Sequence, residues 1–159
     1  MSVEQASIEK NKAEKSKAEK NKAVALRYAK EGWGSQPDWK GVWDEIVAPD
    51  VVYHFNSFPE PIVGLEANKS FNEGLFQGFS DICQSLGDIL AEGDKVVYRT
   101  TITGTHTGEF LGMSPTGKSI RMNDFTLLKI SSGKIVEMWY DCNLLAMLEQ
   151  LGLASELAA

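Results

Sequence analysis

The strongest constraint on this chain is a change of hydrophobic period near Asp81. Upstream, apolar residues recur at helical spacing. Downstream they alternate, and they do so over long segments. Ile82–Leu90, Lys95–Thr107, Ser119–Ile130 and Lys134–Tyr140 read as strands. Glu92-Gly93-Asp94 and Ser131-Ser132-Gly133 supply the turns, and Gly108–Lys118 is a long connection. Helices followed by long antiparallel strands define an α+β chain, because an alternating βα pattern is missing. Such strands, with helices on one side, predict a curved, mostly antiparallel sheet wrapped around one pocket.

Three helices precede the strands. Val24, Ala25, Tyr28 and Ala29 form the apolar side of the first, which Gly32 and Gly34 stop. Trp39, Val42, Trp43, Ile46 and Val47 follow i, i+3, i+4, i+7, i+8, with Asp38 as the expected N-cap and Pro49 as the stop. Val51–Phe55 reads as a strand. Leu65, Phe71, Leu75, Phe76 and Phe79 suit a third helix, weakened by Gly74 and Gly78. Asn143–Leu151 is a short final helix. Ahead of all this, residues 1–22 carry six Lys and four Glu in the repeats Glu9–Ala13, Glu14–Ala18 and Glu19–Ala23. Five residues turn a helix by about 500°, so these repeats drift around it and make no apolar stripe. The chain therefore divides into a charged Lys/Glu helical extension, 1–22, and an α+β domain, 23–159. The extension reads as solvated helix or as a partner-binding arm.

Charge and cysteine usage narrow the function classes. The net charge of −6 argues against nucleic acid as the partner. No apolar run approaches the ~20 residues of a membrane span, and no apolar leader is visible. Cys83 and Cys142 stand far apart in no metal-ligand spacing, so a reduced, cytoplasmic setting without a metal is expected. Gly112–Ser119 spells a phosphate-binding loop, G-x-x-x-x-G-K-S. That chemistry needs a helix N-terminus after the loop, whereas Ile120–Leu128 alternates like a strand. The segment is read as a glycine-rich connection.

Gly104–Gly112, Pro115–Lys118, Gly133–Trp139 and Glu149–Gly152 resemble the SnoaL-like polyketide cyclases of the nuclear-transport-factor-2-like superfamily. Pro49–Asn56 and Pro61–Gly64 resemble the same family upstream, and the likeness spans residues 22–152. It implies a cone-shaped α+β barrel with one pocket between sheet and helices. It further implies a homodimer packed through the sheet, a small hydrophobic ligand, and no metal or organic cofactor. In this alignment the cyclases' acid/base aspartate falls on Tyr140, their two histidines on Met138 and Thr126, and a glutamine on Asp124. Asp141 has the opposite parity to Tyr140 and reads as an N-cap of the last helix.

Parity identifies the inward face. On the second and third long strands it carries Val96, Tyr98, Thr100, Ile102, Gly104 and His106, then Ile120, Met122, Asp124, Thr126, Leu128 and Ile130. Asp124 is a carboxylate on an otherwise apolar face, where burial raises a carboxyl pKa. It reads either as a proton-transfer group or as a satisfied core residue. His54, on the first strand, is the second catalytic candidate, with a rim histidine as its plainer reading. Tyr28, Tyr98, Met122, Thr126, Met138, Tyr140 and His106 are candidate ligand contacts; for His106 loop packing, and for Tyr28 ordinary core packing, compete with that role. Trp33, Trp39 and Trp43 are expected in helix packing and pocket wall, and Trp139 on the outer, dimer-forming face. Three functions follow from these residues: an acid/base enzyme cyclising or isomerising a carbonyl or epoxide ligand, a non-catalytic carrier of such a ligand, or an interaction module acting through the arm.

Overall fold

In the computed structural model of the protein, residues 2–154 are described, so residues 155–159 of the expected domain lie outside them. The helices are α1 (Val3–Glu31), α2 (Trp39–Ile46), α3 (Leu65–Gly78) and α4 (Leu144–Leu151). The strands are β1 (Val47–Phe55), β2 (Ile62–Val63), β3 (Cys83–Glu92), β4 (Lys95–Thr105), β5 (Ser119–Ser131) and β6 (Lys134–Cys142). They form one six-stranded sheet in the order β2-β1-β6-β5-β4-β3. Every neighbouring pair is antiparallel except β1 and β6, which run parallel. Register shifts interrupt β1 between Val47 and Val52, β3 between Leu86 and Ile89, and β5 between Lys129 and Ile130. Such irregularities bend strands and curl the sheet toward the helices. The curved α+β architecture is the expected one, and the sheet stays open, with β2 and β3 as its edges.

The expected parity holds along both long strands. Val96, Tyr98, Thr100 and Ile102 are buried, as are Ile120, Asp124, Thr126, Leu128 and Ile130. The outer face carries a transverse row in register, Leu90–Val97–Leu127–Trp139–His54, with Phe125 beside it. Beneath the helices an aromatic cluster fixes α1 against α2. Trp43 is fully buried, and its Nε1 donates to the Gly32 carbonyl at 2.6 Å. Its ring meets Tyr28 at 5.4 Å and stands edge-on to Trp39 at 5.3 Å. Gly32 suits this end of α1, because a Cβ there would lie 3.0 Å from the Tyr28 carbonyl oxygen and 3.2 Å from Trp43, and these neighbours would have to shift by a few tenths of an ångström.

Several boundaries differ from the sequence-based expectation. The Lys/Glu extension and the first domain helix are one continuous helix, begun by Ser2, whose side chain accepts from the Gln5 N–H. Residues 3–17 of it are exposed, and anchoring starts at Asn21, whose amide donates to the Gly93 carbonyl at 3.0 Å. Asp38 gives α2 no side-chain cap, and Val47 belongs to β1. Pro49 sits inside the irregular part of β1, where no ladder donor is needed. β4 ends at Thr105, leaving His106 beyond it. Asp141 does not cap α4. It continues β6 opposite Phe125, and Asn143 is the cap, its oxygen accepting from the Ala146 N–H at 3.0 Å. The phosphate-loop spelling runs into β5 at Ser119, so no helix N-terminus faces it.

These contacts predict unequal contributions to stability. Deleting residues 1–18 is expected to change the unfolding free energy by less than about 0.5 kcal/mol, since it removes solvated surface only. Trp43→Ala is expected to lower it by about 3–5 kcal/mol. Urea titrations of the two variants check this, and a large loss in the truncated chain contradicts it.

Candidate active site

Inward residues of the sheet and the facing sides of two helices leave a slender cavity between them. From the sheet come Tyr53 and Phe55 of β1, Met122 of β5, and Tyr140 and Cys142 of β6. Helix α3 contributes Phe71, Asn72 and Leu75, and α4 contributes Leu144 and Met147. Trp33 and Phe110 enter from the segments after α1 and β4. The space open to the centres of water-sized spheres is about 40 Å³, room for a few waters at about 10–15 Å³ each. Aromatic rings dominate the wall: Phe55 lies 5.4 Å from Tyr140, and Tyr53 lies 6.1 Å from Phe71.

Asp124 stands just behind this wall. It is 1% exposed, between Thr100 on β4 and Cys142 on β6, its register partners. The Thr100 hydroxyl donates to Oδ1, while Oδ2 has no partner among the described residues. No cationic side chain pairs with it there, so burial pushes its pKa up. Donation from the Thr100 hydroxyl, then from the nearby Tyr140 hydroxyl, pulls in the other direction and is smaller. The surrounding groups shift in the same sense. Burial raises Tyr28, Tyr53, Tyr98 and Tyr140, and the Asp124 carboxylate adds to each. The Cys142 thiol is pushed up to about 12, first by burial and then by Asp124. The polar groups around the cavity are thereby biased toward neutral, protonated forms.

Among the expected site residues, Met122 and Tyr140 reach the cavity wall and Asp124 lies directly behind it. Tyr28, Tyr98, Thr126 and Met138 are buried in the core and do not line the cavity. Tyr98 and Thr126 face each other across β4 and β5. His106 is also off the wall. Its ring stacks on Phe79 at 5.1 Å, and Nδ1 accepts from the Thr116 N–H at 3.3 Å, which leaves the ring hydrogen on Nε2. It organises the connection that carries Phe110, a packing role.

His54 requires a correction. On β1 the inward positions are Val51, Tyr53 and Phe55, so His54 points to the opposite face. There its Nε2 lies 2.9 Å from Glu137 Oε1, and its ring stacks on Trp139 at 5.2 Å. It has no access to the cavity. The residues that sequence reasoning missed divide by signal. Tyr53 and Phe55 share the parity of Val51, but so short a stretch carries no sign of which parity faces inward. Phe71 and Leu75 were placed on a helix without a stated wall. Asn72 and Phe110 carried no pattern that marks a cavity. Among the described residues no group of three or more His, Cys, Asp or Glu could hold a metal ion, and no helix is long and apolar enough to cross a membrane.

Comparison with known proteins completes this description. The family model for SnoaL-like polyketide cyclase matches residues 23–151. A proposed SnoaL-like polyketide cyclase from Jannaschia sp. CCS1 is 34% identical, with 85% of this chain and 93% of that one covered and a TM-score of 0.81. AclR from Streptomyces galilaeus, a proposed hydroxylase, is 30% identical over 85% of this chain and 97% of its own, with a TM-score of 0.73. IdmH from Streptomyces antibioticus, a proposed polyketide cyclase, is 26% identical over 83% and 98%, with a TM-score of 0.71. No curated protein matches the chain significantly. A family match over most of the domain, together with the same arrangement of helices and sheet in these neighbours, places the chain in the SnoaL-like polyketide cyclase family.

Proposed function

We propose that this narrow cavity widens around a small, flat, apolar ligand and that Tyr140 and Asp124 move a proton on it. One observation carries this reading: a buried carboxylate with a free oxygen and no cation lies behind a tyrosine that lines the cavity. Neutral, Asp124 donates to the Tyr140 oxygen while the Tyr140 hydroxyl donates to a ligand carbonyl and holds it in place. Ionised, Asp124 takes the Tyr140 hydrogen as the Tyr140 oxygen removes the proton next to the ligand carbonyl, and the reverse transfer protonates the resulting enolate. Cyclisation or isomerisation next to a carbonyl is the reaction class this arrangement serves. The cyclase-like names of the Jannaschia and Streptomyces antibioticus neighbours support it.

A carrier role is the second reading, and a specific observation favours it. In the sequence alignment the family's aspartate and two histidines fall on Tyr140, Met138 and Thr126, and the last two are buried off the cavity. Under either reading we place the protein in the cytoplasm as a homodimer packed through the outer sheet face. The row Leu90–Val97–Leu127–Trp139 and the 55%-exposed Phe125 form an apolar surface that a second copy would cover.

Three outcomes are expected. With an enolisable cyclic ketone as substrate, Asp124→Asn lowers turnover by roughly two orders of magnitude while the fold persists. Turnover equal to the wild type removes Asp124 from the mechanism, and no turnover by the wild type favours the carrier. Phe125→Glu shifts the protein from dimer to monomer in light scattering, and a wild-type monomer at micromolar concentration refutes the dimer. The third outcome concerns stability. A carboxyl whose folded pKa lies above its unfolded value of about 3.9 binds more protons when folded. Its stabilising contribution is complete below that value and is lost as pH rises through the folded pKa. Asp124→Asn cannot titrate, so its stability relative to wild type is expected to rise as pH climbs from about 4 through the folded Asp124 pKa. A difference that is flat over this range contradicts the raised pKa.

A further inference from the structure

Asn72 is the one amide on the cavity wall, and its orientation is fixed. It lies on α3, 4% exposed, between the apolar wall residues Phe71 and Leu75. Its Nδ2 donates to the Asn68 carbonyl at 2.9 Å. A backbone carbonyl can only accept, so the nitrogen must be the atom on that side and the amide cannot flip. Asn68 is itself anchored, its Nδ2 donating to the Ile62 carbonyl at 3.1 Å and the Gly64 carbonyl at 2.8 Å. The Asn72 oxygen is thus turned away from Asn68. It has no hydrogen bond among the described residues, and it is not one of the sealed unpartnered atoms, which are Asn68 Oδ1, His106 Nε2 and Asp124 Oδ2. Asn72 is itself one of the residues that line the cavity.

We propose that Asn72 is a specificity-determining residue of this cavity: its Oδ1 accepts a hydrogen bond from a hydroxyl on the helix-facing edge of a neutral ring. This rests on the cavity being the ligand site and on its aromatic wall moving aside for a ring, since about 40 Å³ holds only waters. The two walls divide the recognition. Tyr140 and Cys142 on the sheet side offer hydrogens to a ligand acceptor, while Asn72 on the helix side offers a lone pair to a ligand donor. A ring that carries no donor leaves the Asn72 oxygen dry and unpaired, a penalty that the hydroxylated ring escapes.

Three small probes of matched shape test this on the full chain by ligand-observed NMR titration. Phenol carries a donor, toluene has the same outline without one, and anisole has an oxygen that only accepts. Wild type is expected to bind phenol about tenfold more tightly than either other probe. Asn72→Leu keeps the branched outline, adds some bulk and removes the acceptor, so phenol affinity should fall to that of toluene, with Asn72→Ala controlling for the bulk. Asn72→Ala reads the same loss if the leucine variant fails to fold. Equal binding of phenol and toluene by wild type, or an undiminished phenol preference in the variant, overturns the role of Asn72 and leaves the cavity as a ligand site. Binding of none of the three overturns both.

Discussion

The parallel pairing of β1 with β6 is the contact on which the rest of the structure depends. Val52↔Glu137, Tyr53↔Met138, His54↔Trp139 and Phe55↔Tyr140 join the helical first half of the chain to the antiparallel second half. A one-residue slip in that ladder would turn every β1 side chain to the other face. The observed register sets Tyr53 and Phe55 beside Tyr140 on the cavity side and stacks His54 on Trp139 outside. Cavity and outer face are two consequences of one register.

Within that frame the chain tolerates a costly group. An aspartate with 1% exposure, hydroxyl neighbours only and no cation would be poorly placed if its only task were stability. The Tyr140 hydroxyl, held in its protonated form, relieves only part of that burden, because desolvation by burial remains the largest effect on the carboxyl. Residues kept against local preference in this way concentrate at functional sites. The Tyr140–Asp124 pair stands where the sequence alignment sets the family's aspartate and glutamine, so both positions stay polar although neither residue is the family's own.

Much of the fold was legible in the residues because parity is a strict rule. Alternation along Lys95–Thr107 and Ser119–Ile130 assigned the inward faces, and Asp124 was visible as a carboxylate among apolar partners. The rule failed where strand limits were uncertain. β1 starts before Pro49 and carries a register shift, so a histidine on a five-residue stretch gave no hint of which face it took. β6 runs two residues further than expected, which moved the helix cap from Asp141 to Asn143. Asn72 was illegible for a different reason. The inner side of α3 also buries Asn68 and Lys69, so its polar residues blur the amphipathic pattern that would separate wall from surface. Phe110 reaches the cavity from a long connection, where no period exists to read.

The most direct measurement is the titration of Asp124 itself, by carbon-13 NMR of the labelled carboxyl carbon with Asp124→Asn to assign the signal. A midpoint above the ordinary aspartate value of about 3.9 is predicted, because the carboxylate is buried beside an aromatic cavity without a cation. A midpoint at or below that value would mean that the site stabilises the charged form, and it would contradict both the geometry and the proton-transfer role built on it.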